Sequence, residues 1–378
     1  MIKVCFTTRI PSPYQVELFD ALEADGKMEV RVLYEMPQSV GRQWDRPTLA
    51  HDHRFASLIS LKEAWEYIAK SDLVVFSGYR NKFIRKLISQ RDREGRAWAF
   101  WGERPGFIAP PWISRFYRRA VFPELASSQA AVWGIGGWAV DGYLRELGGG
   151  RLYCNVPYFS RLERFLEIDR SLATDRPQRV LFSGSLIKRK GVDILLSAFK
   201  KVAVECPRLE LHFVGDGPLR DMLSRSAAPL GKRVVFHGFK QWQELQAIYA
   251  KSDILCAPSR HDGWGLIVPE GLAAGLLVIS TDHTGAALDL ITFDTGWIAK
   301  AGSVESLEAA LRAASASSGE ERLQRIRKNR DLSRRLDVSV GLGTITEAVE
   351  QSITCFGKSK TSNARSDALT LRSTGDAG

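Results

Sequence analysis

The sequence predicts an α/β protein made of two Rossmann-like, doubly wound parallel-sheet domains in tandem. Two patterns carry this. Short apolar runs alternate with helix-length amphipathic segments along the chain, and the alternation pauses at the polar stretch 169–178 (DRSLATDRPQ) before starting again. Strands separated by helices pair in parallel, and a parallel sheet buries both faces under those helices.

In order, the first half offers apolar strand runs at 3–7, 30–33, 73–77, 97–101, 130–133 and 152–156. Between them, apolar residues recur at helical spacing in 14–24, 62–69, 81–91, 113–121 and 138–147. Beyond the polar stretch, strands are expected at 180–183, 210–214, 234–237, 254–257 and 278–280. Helices are expected at 192–206, 219–227, 242–250 and 270–274. A charged helix over about 320–337 and another near 343–353 follow. The domains expected are 1–170 and 178–335, with a C-terminal helix at 336–356 packing back on the first domain. The tail 357–378 mixes Ser, Thr, Gly and charge without periodicity and is expected to be disordered.

Composition bounds the class. The 378 residues suit two to three domains, and 44% hydrophobic with 25% charged residues is globular usage rather than a disordered or fibrous one. No run nears ~20 uninterrupted apolar residues, so no transmembrane helix is expected. Residues 1–8 form an apolar strand candidate without a charged leader, so no secretion signal is expected. The five cysteines are scattered and lack a CxxC pair, offering neither a disulfide framework nor a zinc site. A cytoplasmic protein is the expectation. The net charge of +10 is concentrated: between Tyr79 and Arg119 eleven basic residues face three acidic ones, which points to an anionic partner.

In open parallel sheets, ligands bind where strand ends lead into helix starts. Four such loops stand out in the second domain. Ser183-Gly184-Ser185-Leu186-Ile187-Lys188-Arg189-Lys190-Gly191 is a glycine-flanked basic turn able to cradle phosphate, or else a solvated surface. Val214-Gly215-Asp216-Gly217-Pro218 is either a binding loop or simple turn chemistry. The third runs from Pro258 to Gly271 and includes Asp262-Gly263-Trp264-Gly265-Leu266 and Glu270. Its two carboxylates bracket a Gly-x-Gly loop and suit the vicinal hydroxyls of sugars and riboses. The fourth is Asp282-His283-Thr284-Gly285.

The series Gly184…Lys190-Gly191, Val214-Gly215-Asp216-Gly217-Pro218, Phe236-His237-Gly238 and Asp262-x7-Glu270-Gly271 resembles the retaining glycosyltransferases of family 4, which have the GT-B fold. The resemblance is close over about 178–300 and architectural over the rest. It implies two Rossmann-like domains facing a central cleft, with a nucleotide-sugar donor on the C-terminal domain. By the resemblance, Glu270 bonds the ribose hydroxyls, Asp262 contacts the transferred sugar, and Lys190 meets the diphosphate. Backbone amides around Gly263, Trp264, Gly265 and Leu266 face the donor, and Gly215, Gly217, His237 and Gly238 line its site. Two positions depart from the pattern: Asp262 stands for a glutamate, and Ser185 for an arginine that Lys188 or Arg189 would have to replace.

The first domain says less. Arg9-Ile10-Pro11-Ser12-Pro13-Tyr14 follows the first strand, so Pro13 and Tyr14 are either acceptor contacts or a rigid helix entry. Trp101-Gly102-Glu103-Arg104-Pro105 ends another strand. Glu103 there is a candidate proton acceptor and Arg104 an acceptor contact, with a structural ion pair as the other reading. Gly134-Ile135-Gly136-Gly137-Trp138-Ala139 matches a dinucleotide fingerprint but lacks the following acidic residue, so close strand–helix packing is expected. His51-Asp52-His53 has no further ligand spacing, and no metal is expected. Around the helix at 112–122, Trp112, Ile113, Phe116, Tyr117 and Ala120 fill one arc, while Arg115, Arg118 and Arg119 fill the other. Such a helix lies on an anionic membrane surface or faces a core with a solvated back.

The expected function is therefore a metal-independent, retaining hexosyl transfer from a UDP- or GDP-sugar to a hydroxyl of a glycan or polyprenyl-diphosphate-linked acceptor. The context would be exopolysaccharide or lipopolysaccharide biosynthesis at the inner face of the cell membrane. Glu103, Asp262 and Lys190 are the catalytic candidates. No DxD pair occurs, so Lys190, Lys188, Arg189 and helix N-termini would stabilise the leaving diphosphate. No cofactor and no nucleic-acid partner are expected. The rival is a silent sugar-nucleotide-binding subunit of a polysaccharide assembly complex, motivated by Ser185 and Asp262.

Overall fold

The computed structural model describes residues 1–38, 44–45, 47–105, 111–170 and 176–373. Contacts group the chain into two units. The first comprises Met1–Val40, Arg46–Val156 and the residues from Leu342 onward, and the second comprises Gly41–Asp45 and Pro157–Gly341.

The first unit runs β1 (Ile2–Thr8), α1 (Pro13–Asp25), β2 (Met28–Tyr34), β3 (Asp52–Phe55), α2 (Leu61–Ala69), β4 (Leu73–Phe76), α3 (Lys82–Arg93), β5 (Trp98–Gly102), α4 (Pro111–Val121), α5 (Pro123–Ser127), β6 (Ala131–Gly134), α6 (Gly137–Leu147) and β7 (Tyr153–Asn155). Its seven strands are parallel in the order β3-β2-β1-β4-β5-β6-β7. The order reverses between β1 and β4, the doubly wound arrangement. The central runs are buried throughout, as in Leu73–Phe76, because helices cover both faces. The exception is β3, whose Asp-His-Arg-Phe alternates exposed and half-buried residues at the sheet edge. It is an element the hydrophobic pattern did not announce.

The second unit begins with α7 (Glu163–Leu166) and continues β8 (Gln178–Ser183), α8 (Val192–Glu205), β9 (Leu209–Val214), α9 (Arg220–Ala227), β10 (Val234–Phe236), α10 (Trp242–Ala250), β11 (Ile254–Ala257), α11 (Ile267–Ala273), β12 (Leu277–Thr281), α12 (Gly285–Leu290), β13 (Gly296–Ala299), α13 (Val304–Ala316) and α14 (Gly319–Arg334). Its six strands are parallel in the order β10-β9-β8-β11-β12-β13, so the switch point falls between β8 and β11. Val180, Phe182, Leu195, Phe199 and Phe213 lie in its main apolar core. The strand β13 is a second element missed by the pattern, being short, half-buried at Trp297 and exposed at Ile298.

The last helix, α15, runs from Val338 to Ser373. Ile345, Ala348 and Val349 on it are buried, and the Trp133 indole N–H donates to Ser352 Oγ at 3.0 Å. The helical backbone of α15 continues to Ser373, into the stretch 357–378 that carries no hydrophobic periodicity. Residues 358–373 hold neither Gly nor Pro, so nothing in that stretch ends the helix. The remaining residues, 374–378, lie outside the described ones.

Two further readings are corrected. The basic stretch is not one surface patch, because Arg91 and Arg118 point inward. Arg91 is fully buried and donates to the carbonyls of Ala97 and Ser71, both at 2.8 Å, at a helix end where such charge is favourable. Arg118 pairs in bidentate fashion with Glu146, at 2.7 and 2.9 Å. The core-facing reading of α4 therefore fails, because its apolar arc is turned outward. Trp112, Phe116 and Tyr117 are exposed, as are Arg115 and Arg119, while Arg118 pins the helix to α6. The fingerprint-like glycines pack closely. A Cβ on Gly134 would lie 2.6 Å from Val140, and Gly136 caps α6 with φ of +89°.

Candidate active site

The loops after β8 and β11 flank the switch point of the second sheet, where doubly wound folds open a crevice. They are bound to each other along their length. Gly191 ends the basic turn with φ of +70°, and a Cβ there would lie 1.9 Å from the Pro258 carbonyl oxygen, so only glycine allows the approach. Arg260 N–H donates to the Arg189 carbonyl at 2.8 Å, and its guanidinium grips both Asp193 oxygens at 2.7 and 2.8 Å. Asp193 opens α8, where a carboxylate also favours the helix dipole. The Lys190 ammonium forms an ion pair with Asp262, and Arg189 Nη1 stands 3.7 Å from the other Asp262 oxygen. Arg189 further donates to the His261 carbonyl at 3.1 Å.

The remaining loops close in on this pair. After β9, Gly215 has φ of +120°, and a Cβ would sit 2.0 Å from the Gly184 carbonyl. Gly215 N–H donates to Gly238 at 2.8 Å, and Leu186 N–H to Asp216 at 2.9 Å. Gly217 N–H donates to the Asp216 side chain at 2.7 Å. After β12, the Asp262 N–H donates to His283 at 2.8 Å, and a Cβ on Gly285 would lie 2.2 Å from the Gly263 carbonyl. Gly265, with φ of +88°, bends the chain into α11. Trp264 is 2% exposed, and its Nε1 has no hydrogen-bond partner among the described residues.

Glu270 stands in the first turn of α11 and accepts a hydrogen bond from the Tyr249 hydroxyl at 2.9 Å. Burial, together with the Glu270 charge, pushes the Tyr249 phenol well up, so it remains a donor. His237 shares a proton with His212, Nε2 to Nδ1 at 2.9 Å, and His212 bonds Glu210 at 3.1 Å through its other nitrogen. Burial lowers the pKa of both rings, and the His212 charge lowers that of His237 further. Ser185 and Lys188 are exposed on the basic turn.

Of the residues singled out by sequence, the second unit therefore gathers Ser185, Lys188, Arg189, Lys190, Gly215, Gly217, His237, Gly238, Asp262 to Leu266 and Glu270 at the C-terminal ends of its strands. Pro13, Tyr14, Glu103 and Arg104 belong to the first unit. There Pro13 is the first residue of α1. The Glu103 side chain is exposed, while its carbonyl accepts from the Tyr143 hydroxyl at 2.8 Å. Arg104 lies over the Trp138 ring at 3.9 Å. His51 is interior, holding Asp20 at 2.5 Å and the Tyr34 hydroxyl at 2.9 Å, which accounts for its place without a metal. No group of three or more His, Cys, Asp or Glu among the described residues is placed to hold a metal ion. Sequence reasoning missed the Arg260–Asp193 and Tyr249–Glu270 contacts. Their partners lie 67 and 21 positions apart, and no motif spacing announces them.

Residues 164–332 match the family model described as Glycosyl transferases group 1. The sulfoquinovosyl transferase SQD2 of Arabidopsis thaliana is 33% identical over 212 residues, which cover 54% of this chain and 40% of that protein. The amylovoran biosynthesis glycosyltransferase AmsK of Erwinia amylovora is 28% identical over 148 residues, 37% of this chain and 36% of that protein. The match thus spans well under half the length of either relative. Among solved structures, that of Anabaena Alr3699/HepE in complex with UDP and glucose superposes with a TM-score of 0.68 at 15% identity, covering 93% of this chain and 100% of that one. The chain has the GT-B fold, and over residues 164–332 it is similar to group 1 glycosyl transferases.

Proposed function

We propose that the chain is a retaining glycosyltransferase of the family 4 type. It moves a hexose from a nucleoside-diphosphate sugar to a hydroxyl of a glycan, lipid-linked, in the assembly of a surface polysaccharide or glycolipid. The observation that carries this is the meeting of Lys190, Arg189 and Asp262 across the β8/β11 switch point, with Glu270 on the adjoining helix. The similarity to group 1 glycosyl transferases, and relatives named as a sulfoquinovosyl transferase and an amylovoran biosynthesis glycosyltransferase, support the same reading.

In this reading Glu270 accepts hydrogen bonds from the two ribose hydroxyls, with Tyr249 fixing its orientation. Backbone amides from Gly263 to Leu266 face the sugar and phosphate. The acceptor oxygen attacks the anomeric carbon on the face from which the diphosphate departs, so one C–O bond forms as the other breaks. The bonding pair leaves on the diphosphate. Lys190 and Arg189, with Lys188 and the N-terminus of α8, neutralise that charge without a metal. Asp262 holds the transferred sugar and keeps Lys190 in place until the donor arrives. Glu103 takes the proton of the acceptor hydroxyl, and Pro13, Tyr14 and Arg104 hold the acceptor.

No described helix is long and apolar enough to cross a membrane. The α4 surface, with exposed Trp112, Phe116 and Tyr117 beside Arg115 and Arg119, is the surface we assign to peripheral contact with anionic lipid. The test of the enzymatic reading is proton NMR of the product formed from each UDP- and GDP-hexose with a short glycan acceptor. A product with the donor's anomeric configuration supports it. An inverted anomer refutes retention, and binding of a donor without any turnover favours the silent sugar-nucleotide-binding subunit.

A further inference from the structure

The histidine pair of the second unit is one end of a longer chain of hydrogen bonds. Along β8 and β9 successive residues alternate between the two faces of the sheet. Val180, Phe182, Leu211 and Phe213 enter the apolar core, so Arg179, Ser183, Glu210 and His212 belong to the opposite face. That face also supports Glu270: the Ser183 hydroxyl bonds Tyr249, and Tyr249 donates to Glu270 at 2.9 Å. His237, directly after β10, turns its ring to the same face, since its Nε2 meets His212 Nδ1 at 2.9 Å. Its neighbour Gly238 accepts from the Gly215 N–H in the loop after β9.

The direction of each bond is set from the inner end. Arg179 Nε donates to Glu210 Oε2 at 3.1 Å, and the same oxygen stands 3.1 Å from His212 Nε2. A carboxylate only accepts, so His212 Nε2 carries a proton and His212 Nδ1 offers a lone pair. His237 then donates through Nε2, which leaves its own Nδ1 as an acceptor on a half-buried ring. No described residue donates to that Nδ1. Burial holds both rings neutral. Glu210 opposes the shift at His212 and Arg179 adds to it at both rings, while His212 and Lys240 add to it at His237.

A single proton taken up by the pair reverses its outer end. The shared proton passes to His212 Nδ1, and the incoming one lands on His237 Nδ1, which turns from acceptor to donor.

We propose that His237 selects the base of the donor, held by Arg179, Glu210 and His212 as an acceptor for a nucleobase with a ring N–H. Uracil and guanine carry one; cytosine and adenine present a ring lone pair instead. The inference rests on the donor-site reading above. The test is calorimetric titration of the full chain with UDP, GDP, CDP and ADP, from about pH 5.5 to about pH 8. Wild type should bind UDP or GDP about ten-fold more tightly than CDP and ADP. That margin should shrink as the pH falls below about 6.5. All four carry the same diphosphate, so its own titration cancels in the margin. His237→Gln puts an amide where Nε2 stands, keeping the bond to His212 without the outer nitrogen, and should erase the margin at every pH. Glu210→Gln lets His212 take either tautomer and should narrow it. Melting curves check that each variant is folded, and the pH dependence of the wild type needs no variant. A margin that survives in His237→Gln, or that is independent of pH in the wild type, would overturn the proposal while leaving the donor site standing. Binding by none of the four would remove the donor site and the proposal with it.

Discussion

Lys190 and Asp262, 72 positions apart, form an ion pair that joins the loops on either side of the switch point in the second sheet. The pair places a cation and a carboxylate where a doubly wound fold takes its ligand, and the glycines at 191, 215 and 285 let the surrounding backbones come near enough to hold it.

If Lys190 meets the leaving diphosphate, Lys190→Ala should lower kcat by about 10²–10³, the loss typical of one charge-stabilising donor. Asp262→Asn should lower kcat while leaving nucleoside-diphosphate affinity unchanged or tighter, because the lysine is released from its partner. Steady-state kinetics beside UDP and GDP binding distinguish the two. A variant of Asp262 with undiminished turnover would remove that residue from the reaction.

Arg118 and Glu146 are each about nine-tenths buried and pair in bidentate fashion. Removing one partner leaves the other desolvated and unpaired. Glu146→Ala should therefore cost about 3–5 kcal/mol of first-unit stability. Denaturant unfolding followed by tryptophan fluorescence measures this, since Trp98, Trp101 and Trp133 lie in that unit's interior. A loss below about 1 kcal/mol would show the pair to be dispensable.

Burial pushes His51, His212 and His237 below their ordinary value of 6.5. Asp20 opposes the shift at His51 and Glu210 at His212, whereas His237 is lowered further by the His212 charge. As the pH falls through 6.5, the unfolded chain binds protons that the folded rings refuse, so stability is lost on acidification until the folded rings protonate too. The melting midpoint should thus decline as the pH is lowered below about 6.5. His212→Gln should flatten part of that decline, and an unchanged slope in this variant would exclude the His212–His237 pair as its source.

The exposed face of α4 should bind vesicles containing anionic lipid, weakly enough to be released by salt. Trp112→Ala with Phe116→Ala should abolish co-sedimentation, and Arg115→Ala with Arg119→Ala should weaken it. Equal binding to neutral and anionic vesicles would contradict the electrostatic part.

What could be read from the sequence was the pattern that repeats. The alternating apolar runs announced eleven strands, and the missing β3 and β13 are short edge strands whose exposed residues break the pattern. Loop motifs located the glycines and charges of the switch point because the motif residues are neighbours in sequence. The Arg260–Asp193 clamp and the Tyr249–Glu270 bond were invisible because they join distant segments. The sequence leaves the orientation of α4 open between an arc lying on a membrane surface and an arc facing a core. An apolar arc on a helix ordinarily faces inward, but the bidentate bond from Arg118 to Glu146 turns the arc of Trp112 and Phe116 outward.

The most direct test of the central assignment is thermal-shift binding of UDP, GDP and their common sugar conjugates to the wild-type chain and to Glu270→Ala. A ligand at 100 times its dissociation constant stabilises by about 2.7 kcal/mol, which is readily seen as a rise in melting temperature. The account predicts selective stabilisation by one nucleotide family, lost in Glu270→Ala. Stabilisation by none of them, or stabilisation that survives in Glu270→Ala, would contradict it.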